Sequence, residues 1–162
     1  MIRKMGKALL GAAGLFCASA CASAQPGAEV KHFEPAGPKP AGIPANARAP
    51  FSSSVLADDT LYIAGVLDLD PATRKPGTSP QESARLVMEA LKASVENAGF
   101  AMDDLVWVQV YATDLGSFGD FGAIYETYFT GPLPARTFVG VAGLMGGARF
   151  EVNGIAVRKS RE

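Results

Sequence analysis

The feature that most constrains this chain is an alternation of strand-like and helix-like runs between Phe51 and Arg158. Ser53 to Ala57 and Thr60 to Leu67 read as two strands, with Asp58-Asp59 as the turn between them. Ser79-Pro80-Gln81-Glu82 reads as a helix start: a capping hydroxyl, a proline at the first helical position, and a glutamate three residues after the cap. Ala84, Val87, Met88, Leu91, Val95 and Ala98 then recur on one helical face, and Gly99 supplies the left-handed residue that ends the helix. Leu105 to Ala112 is a strand. Gly119 to Phe129 is a second helix, with Phe121, Ile124, Tyr125, Tyr128 and Phe129 on its apolar side and Gly131-Pro132 as its stop. Strands are expected again at Thr137 to Ala142 and Ala148 to Arg158. The order β-β-α-β-α-β-β, with room for one more short strand early, predicts an α+β domain whose helices pack on one face of a mixed sheet. The other sheet face, if as apolar as Val106, Val108, Val139 and Val141 suggest, calls for a cover that another subunit can supply.

The N-terminal part has a different character. Arg3, Lys4 and Lys7 precede an uncharged apolar run, Ala8 to Phe16, and Ala22-Ser23-Ala24 is a small-residue cleavage pattern. Residues 1–24 are therefore expected to be a secretory signal peptide. Its apolar run is too short to span a bilayer, and Arg3-Lys4 is not a twin-arginine pair. Export to the periplasm is the expectation. The alternative is a lipoprotein anchored through Cys21, though Ala18 stands where such signals usually carry leucine. Cleavage after Ala24 removes both cysteines, Cys17 and Cys21, so the mature chain would have no disulfide and no cysteine ligand for a metal. Residues 25–49 form a Pro/Gly/Ala-rich lead-in, and the folded domain is expected to occupy residues 50–162. The only histidine, His32, falls in this lead-in and is expected to face solvent.

Composition excludes several functions. With 48% hydrophobic residues the chain is not disordered throughout. Loss of Arg3, Lys4 and Lys7 takes the 15 basic residues to 12 against 16 acidic ones, a net charge of −4. That balance steers poorly toward phosphate, so no nucleic-acid partner is expected. A single histidine cannot build a His-based metal site or a Ser-His-Asp triad. The glycine-rich stretch Gly140 to Gly147 lacks the spacing of a phosphate-binding loop and reads as a turn.

Few groups remain that could carry chemistry. Asp68 and Asp70 lie two apart and could act as paired carboxylates; the plainer reading is an exposed strand end. Arg136 enters a strand from the stiff segment Pro132-Leu133-Pro134-Ala135, and a fixed guanidinium is a good carboxylate receptor. Glu151 alternates with Phe150 and Val152, so it points away from the core and could hold or activate a water. From the pattern alone, the plainer readings are favoured: a surface ion pair for Arg136 and a solvated strand position for Glu151.

Taken in order, several segments resemble the RidA/YjgF family, also labelled L-PSP endoribonucleases. They are Ala49-Pro50-Phe51-Ser52, Leu61-Tyr62-Ile63-Ala64-Gly65, Gln81 with its helix, Ala98-Gly99-Phe100, Val110-Tyr111-Ala112-Thr113-Asp114, Tyr125-Glu126 with Phe129, Pro134-Ala135-Arg136-Thr137, and Glu151 with Ile155-Ala156-Val157. The resemblance runs from about Pro50 to Val157. It implies a chorismate-mutase-like α+β fold and a homotrimer with a central barrel and ligand clefts between subunits. It also implies hydrolytic deamination of 2-imino or enamine acids without metal or organic cofactor. Arg136 and Glu151 match the positions that hold the substrate carboxylate and position water, and the Phe138 carbonyl matches the backbone group that assists. Phe51, Ala64 and Phe138 match substrate-cleft positions.

The sequence departs from the family pattern within that cleft. Ala64 stands where serine is usual, Val66 where glutamine is common, and Phe51 where a tyrosine hydroxyl faces the cleft. Phe138 replaces a frequent cysteine and Gly122 a frequent asparagine. These changes leave the charged pair and make the cleft more apolar, which favours a larger or more apolar substrate. They also sustain an alternative, a non-catalytic trimeric module of the cell envelope that binds small carboxylates. A ribonuclease is suggested only by the older family label.

Overall fold

The computed structural model describes residues 27–35 and 50–158. The proposed signal peptide at 1–24 lies outside the described residues. A mixed six-stranded sheet carries two helices on one face. In chain order the elements are β1 (Val30–Phe33), β2 (Ser54–Ala57), β3 (Thr60–Leu67), α1 (Pro80–Asn97), β4 (Leu105–Ala112), α2 (Phe118–Tyr125), β5 (Ala135–Gly140) and β6 (Phe150–Val157). The strands lie side by side as β1-β2-β3-β6-β4-β5, with β4 and β5 parallel and every other pair antiparallel.

The first helix forms as its sequence predicts. Ser79 Oγ accepts the Glu82 N–H at 3.1 Å, and Pro80 opens the first turn. Glu82 reaches back to the N–H of Thr78, one residue earlier than a standard capping box, and this bond with the Thr78 hydroxyl holds its carboxyl below the usual range. Gly99 follows the helix at φ +78°, where a Cβ would be strained. Ala84, Val87, Met88, Leu91 and Val95 are buried against Leu61, Val108, Val110, Phe150, Val152 and Ala156 of the sheet. Burial of a side chain of this size stabilises by roughly 1.5–3 kcal/mol, so this layer dominates the energetics of the chain.

The structure differs from the sequence reading in several places. Val30–Phe33, expected as part of an extended lead-in, is an edge strand paired with β2; its single backbone ladder, over four residue pairs, compensates for its lack of alternation. The second helix ends at Tyr125, and its last turn tightens to a 3₁₀ turn over Glu126–Tyr128. The Tyr128 hydroxyl then donates to Glu89 Oε1 at 2.7 Å, tying this turn to α1. β5 begins at Ala135 rather than Thr137, because the parallel ladder with β4 starts at Trp107. Val108 does not belong to the uncovered face: it is fully buried under the helices, and a register irregularity at Val106 shifts the alternation of β4.

The uncovered face is semi-polar. Tyr62, Trp107, Gln109, Tyr111, Thr137, Val139, Glu151, Asn153 and Ile155 project from it by strand alternation. Tyr62 and Val139 are exposed, and Asn153 Oδ1 is enclosed without a hydrogen-bond partner among the described residues.

Candidate functional site

Arg136 sits on β5, the edge strand, in register with Val108 of β4, and so it points to the helix-covered side. There α2 presents Phe118, Phe121 and Tyr125 at spacings of three and four residues. The guanidinium carbon lies 4.6 Å from the Tyr125 ring centre, 5.3 Å from Phe118 and 5.9 Å from Phe121. Three ring faces at these distances favour a cation, the more so because the site is half-buried. Among the described residues no carboxylate lies within ion-pair distance of Arg136. Among the described residues, the guanidinium is thus held in place by rings that leave its anion-binding donors unused.

Phe138, two residues on, faces the same way. Its ring meets Phe118 edge-on at 5.2 Å and Phe121 at 5.6 Å. Tyr125 is almost fully enclosed, and its hydroxyl has no hydrogen-bond partner among the described residues. Burial pushes the Tyr125 phenol up to about 12, against the pull of the neighbouring Arg136 charge.

Glu151 lies on β6 in the row Leu67–Glu151–Tyr111, on the uncovered face. Its carboxylate rests over Gly65: a Cβ added at Gly65 would collide with Glu151 Oε1. Here the absence of a side chain has a local reason, because any substituent at this position would displace the carboxylate. Gly65 falls within a register irregularity between β3 and β6, from Ile63 to Val66. Ala64 is beside it, and its N–H donates to Ser53 O at 2.9 Å, so the segment carrying Phe51 runs next to this corner. Phe51 itself is 59% exposed. His32, exposed as expected, bonds through Nδ1 to Ser52 Oγ at 3.0 Å.

Arg136 and Phe138 therefore form one half-site, and Ala64, Gly65 and Glu151 form another. Within one chain the two halves do not meet. They are on opposite faces of the sheet: β4 separates the strands of Glu151 and Arg136, whose axes lie about 10 Å apart, and the two residues are further offset along the strands, from Tyr111 to Val108 of β4.

Asp68 and Asp70 are not paired carboxylates. Asp70 closes a turn, accepting the N–H groups of Ala72 and Thr73, and the bonds from Thr73 lower its pKa. Asp68, expected at an exposed strand end, is 0% exposed. The ring box of Phe118, Phe121 and Tyr125 is the other feature that the sequence reading missed. Phe121 and Tyr125 were visible as a helical stripe; only the packing of α2 beside β5 turns that stripe toward Arg136.

Strand order and two helices on one face define an α+β protein, and among the described residues its edge arginine has no carboxylate partner. The chain belongs to the RidA/YjgF family: the family model described as Endoribonuclease L-PSP matches residues 43–158. It is 38% identical over 111 residues to the 2-iminobutanoate/2-iminopropanoate deaminase of Mus musculus, an alignment covering 67% of this chain and 82% of the mouse protein. The solved structure of the E. coli YjgF gene product matches with a TM-score of 0.69 at 29% identity, covering 80% of this chain and 99% of that one. E. coli TdcF with bound serine matches with a TM-score of 0.66 at 27% identity, covering 83% and 100%.

Proposed function

We propose that this protein deaminates reactive 2-imino or enamine acids by hydrolysis, giving 2-oxo acids and ammonia. The observation that carries this reading is the Arg136 guanidinium, fixed by three aromatic rings and free of any carboxylate among the described residues. A planar fork held this way binds a substrate carboxylate bidentately. The mouse relative named as a 2-iminobutanoate/2-iminopropanoate deaminase supports the reaction class. The relative crystallised with serine supports a small amino-acid-like ligand.

In this mechanism Arg136 holds the carboxylate and presents the adjacent imine carbon. Glu151, helped by the Phe138 carbonyl, orients a water molecule and takes its proton as the oxygen adds to the C=N carbon. The imine nitrogen gains protons and leaves as ammonia, while the carbon–oxygen bond becomes a carbonyl. Glu151 returns its proton during that collapse, so the protein ends unchanged. Because the Arg136 and Glu151 halves face opposite sides of one chain, a complete site takes the Arg136 half from one copy and the Glu151 half from its neighbour. This supports clefts between subunits, as does the uncovered face carrying Tyr62 and Val139; the number of subunits in the proposed homotrimer comes from the family resemblance. The reading of residues 1–24 as an export signal, and with it a periplasmic mature protein, is part of this proposal and is supported by Arg3, Lys4 and Lys7 ahead of an uncharged apolar run and by Ala22-Ser23-Ala24.

A second reading is a carboxylate-binding module without turnover, favoured by the missing hydroxyls at Ala64 and Phe51. Ammonia release from freshly generated 2-imino acids, graded from small polar to aromatic side chains, separates the two. Catalysed release that disappears in Arg136→Ala is the expected result. Saturable binding that needs Arg136, with no release above the uncatalysed rate, would replace the deaminase reading with the module.

A further inference from the structure

One fully buried charge has no part in the mechanism above. Asp68 is 0% exposed, one residue past the end of β3. Its Oδ1 accepts the N–H of Arg149 at 2.8 Å and the N–H of Phe150 at 3.1 Å. Its own N–H donates to the Phe150 carbonyl at 3.3 Å. Its Oδ2 has no hydrogen-bond partner among the described residues. A buried carboxylate is costly even when half satisfied, and an apolar side chain could fill the same volume without that cost. What the carboxylate adds is its grip on two particular backbone donors.

Those donors belong to the two residues immediately before Glu151. On the other side, Leu67 pairs with Glu151 directly. The ladder between β3 and β6 is irregular from Ile63 to Val66, and Gly65, beneath the Glu151 carboxylate, lies inside that irregularity. A bulge leaves the local register weakly held. Asp68 restores it with charge-assisted bonds just past the bulge, where an ordinary ladder would have one neutral bond at a time.

We propose that Asp68 is a positioning residue that holds the Glu151 carboxylate over Gly65 by clamping the backbone at Arg149 and Phe150. The proposal rests on the assignment of Glu151 as the water-orienting group.

A double-mutant cycle on ammonia release tests it. Asp68→Ala is expected to lower kcat about tenfold with KM within about twofold, and to have no further effect on kcat in the Glu151→Gln background. An equal loss in both backgrounds would show a general structural effect and overturn the proposal. Asp68→Asn keeps an acceptor oxygen in place and guards against an Ala variant that fails to fold; it is expected to stay within about threefold of wild-type kcat. An Asn variant as slow as a folded Ala variant overturns the clamp. Asp68→Glu, whose longer arm moves the acceptor, is expected to be as slow as Ala, and wild-type kcat in it would also overturn the clamp. If the wild-type protein releases no ammonia, the deaminase reading fails and the clamp is judged from crystal structures alone. Glu151 leaving Gly65 in Asp68→Ala while staying there in Asp68→Asn supports it, and an unmoved Glu151 in both refutes it.

Discussion

The two faces of the sheet are built from the same strands and behave differently. Under α1 and α2, Leu61, Val108, Val110, Phe150 and Val152 are fully enclosed by side chains of the same chain. On the opposite face Tyr62 and Val139 remain exposed, and Glu151, Asn153 and Gln109 interrupt the apolar rows. The helix-covered face is closed within the chain except at its β5 edge, where Arg136 and Phe138 form one half-site; the other face offers the Glu151 half-site and an amide oxygen with no partner among the described residues. Along β6, stability and chemistry are separated by one residue of strand alternation. A core position and a candidate catalytic position are neighbours in sequence, as Phe150 and Glu151 show.

That separation can be broken from either side. The largest effect is expected from Arg136→Ala, which leaves the ring box without its cation. It should lower kcat/KM for imine hydrolysis about 1,000-fold, measured by ammonia release, with little change in the folded state. Retained turnover in that variant would remove Arg136 from the site. Next come a closed-face and an open-face truncation compared side by side. Leu91→Ala should cost about 3 kcal/mol in urea unfolding, as a fully buried leucine does. Tyr62→Ser should cost the chain less than about 1 kcal/mol while weakening self-association in sedimentation. Equal effects on both quantities would erase the contrast between the faces.

Glu151→Gln should lower kcat about 100-fold while KM changes little, as expected for a group acting on water rather than on substrate binding. The smallest effect is at Tyr125. Its hydroxyl has no partner among the described residues, so Tyr125→Phe should alter stability at neutral pH by less than about 1 kcal/mol. The phenol is raised from 10.0 to about 12 in the folded state. Its contribution is therefore fully present below pH 10 and is lost as pH rises toward 12. Tyr125→Phe should flatten the alkaline side of the stability profile. An unchanged profile would show that this phenol is not the group titrating there. Arg136→Ala should move the Tyr125 titration higher still, because the cation pulls it down.

Much of the fold is legible along the chain. The helix from Pro80 is marked by its cap, its stripe and Gly99, all local signals that tertiary packing reinforces. β3 and β4 are readable for the same reason: eight residues of β-branched and aromatic character leave few alternatives. Val30–Phe33 is not readable, because an edge strand of four residues is specified by its neighbour's free ladder rather than by its own pattern. Of the candidate site, Arg136 and Glu151 stand out by residue type and position. Asp68 does not: in sequence it looks like one of two acidic residues at a strand end, and its burial depends on the backbone at Arg149 and Phe150, 81 and 82 residues away.

The sequence by itself determined the alternation of elements, the buried stripe of the first helix and the two charged residues available for chemistry. These follow from periodicity and residue type, which are properties of neighbours along the chain. Only the tertiary structure decided that α2 wraps three rings around Arg136, that Asp68 is enclosed, and that Arg136 and Glu151 face opposite ways. Those outcomes depend on strand order and register, where a shift of one residue reverses every side chain, and such choices are settled by contacts between segments far apart in sequence.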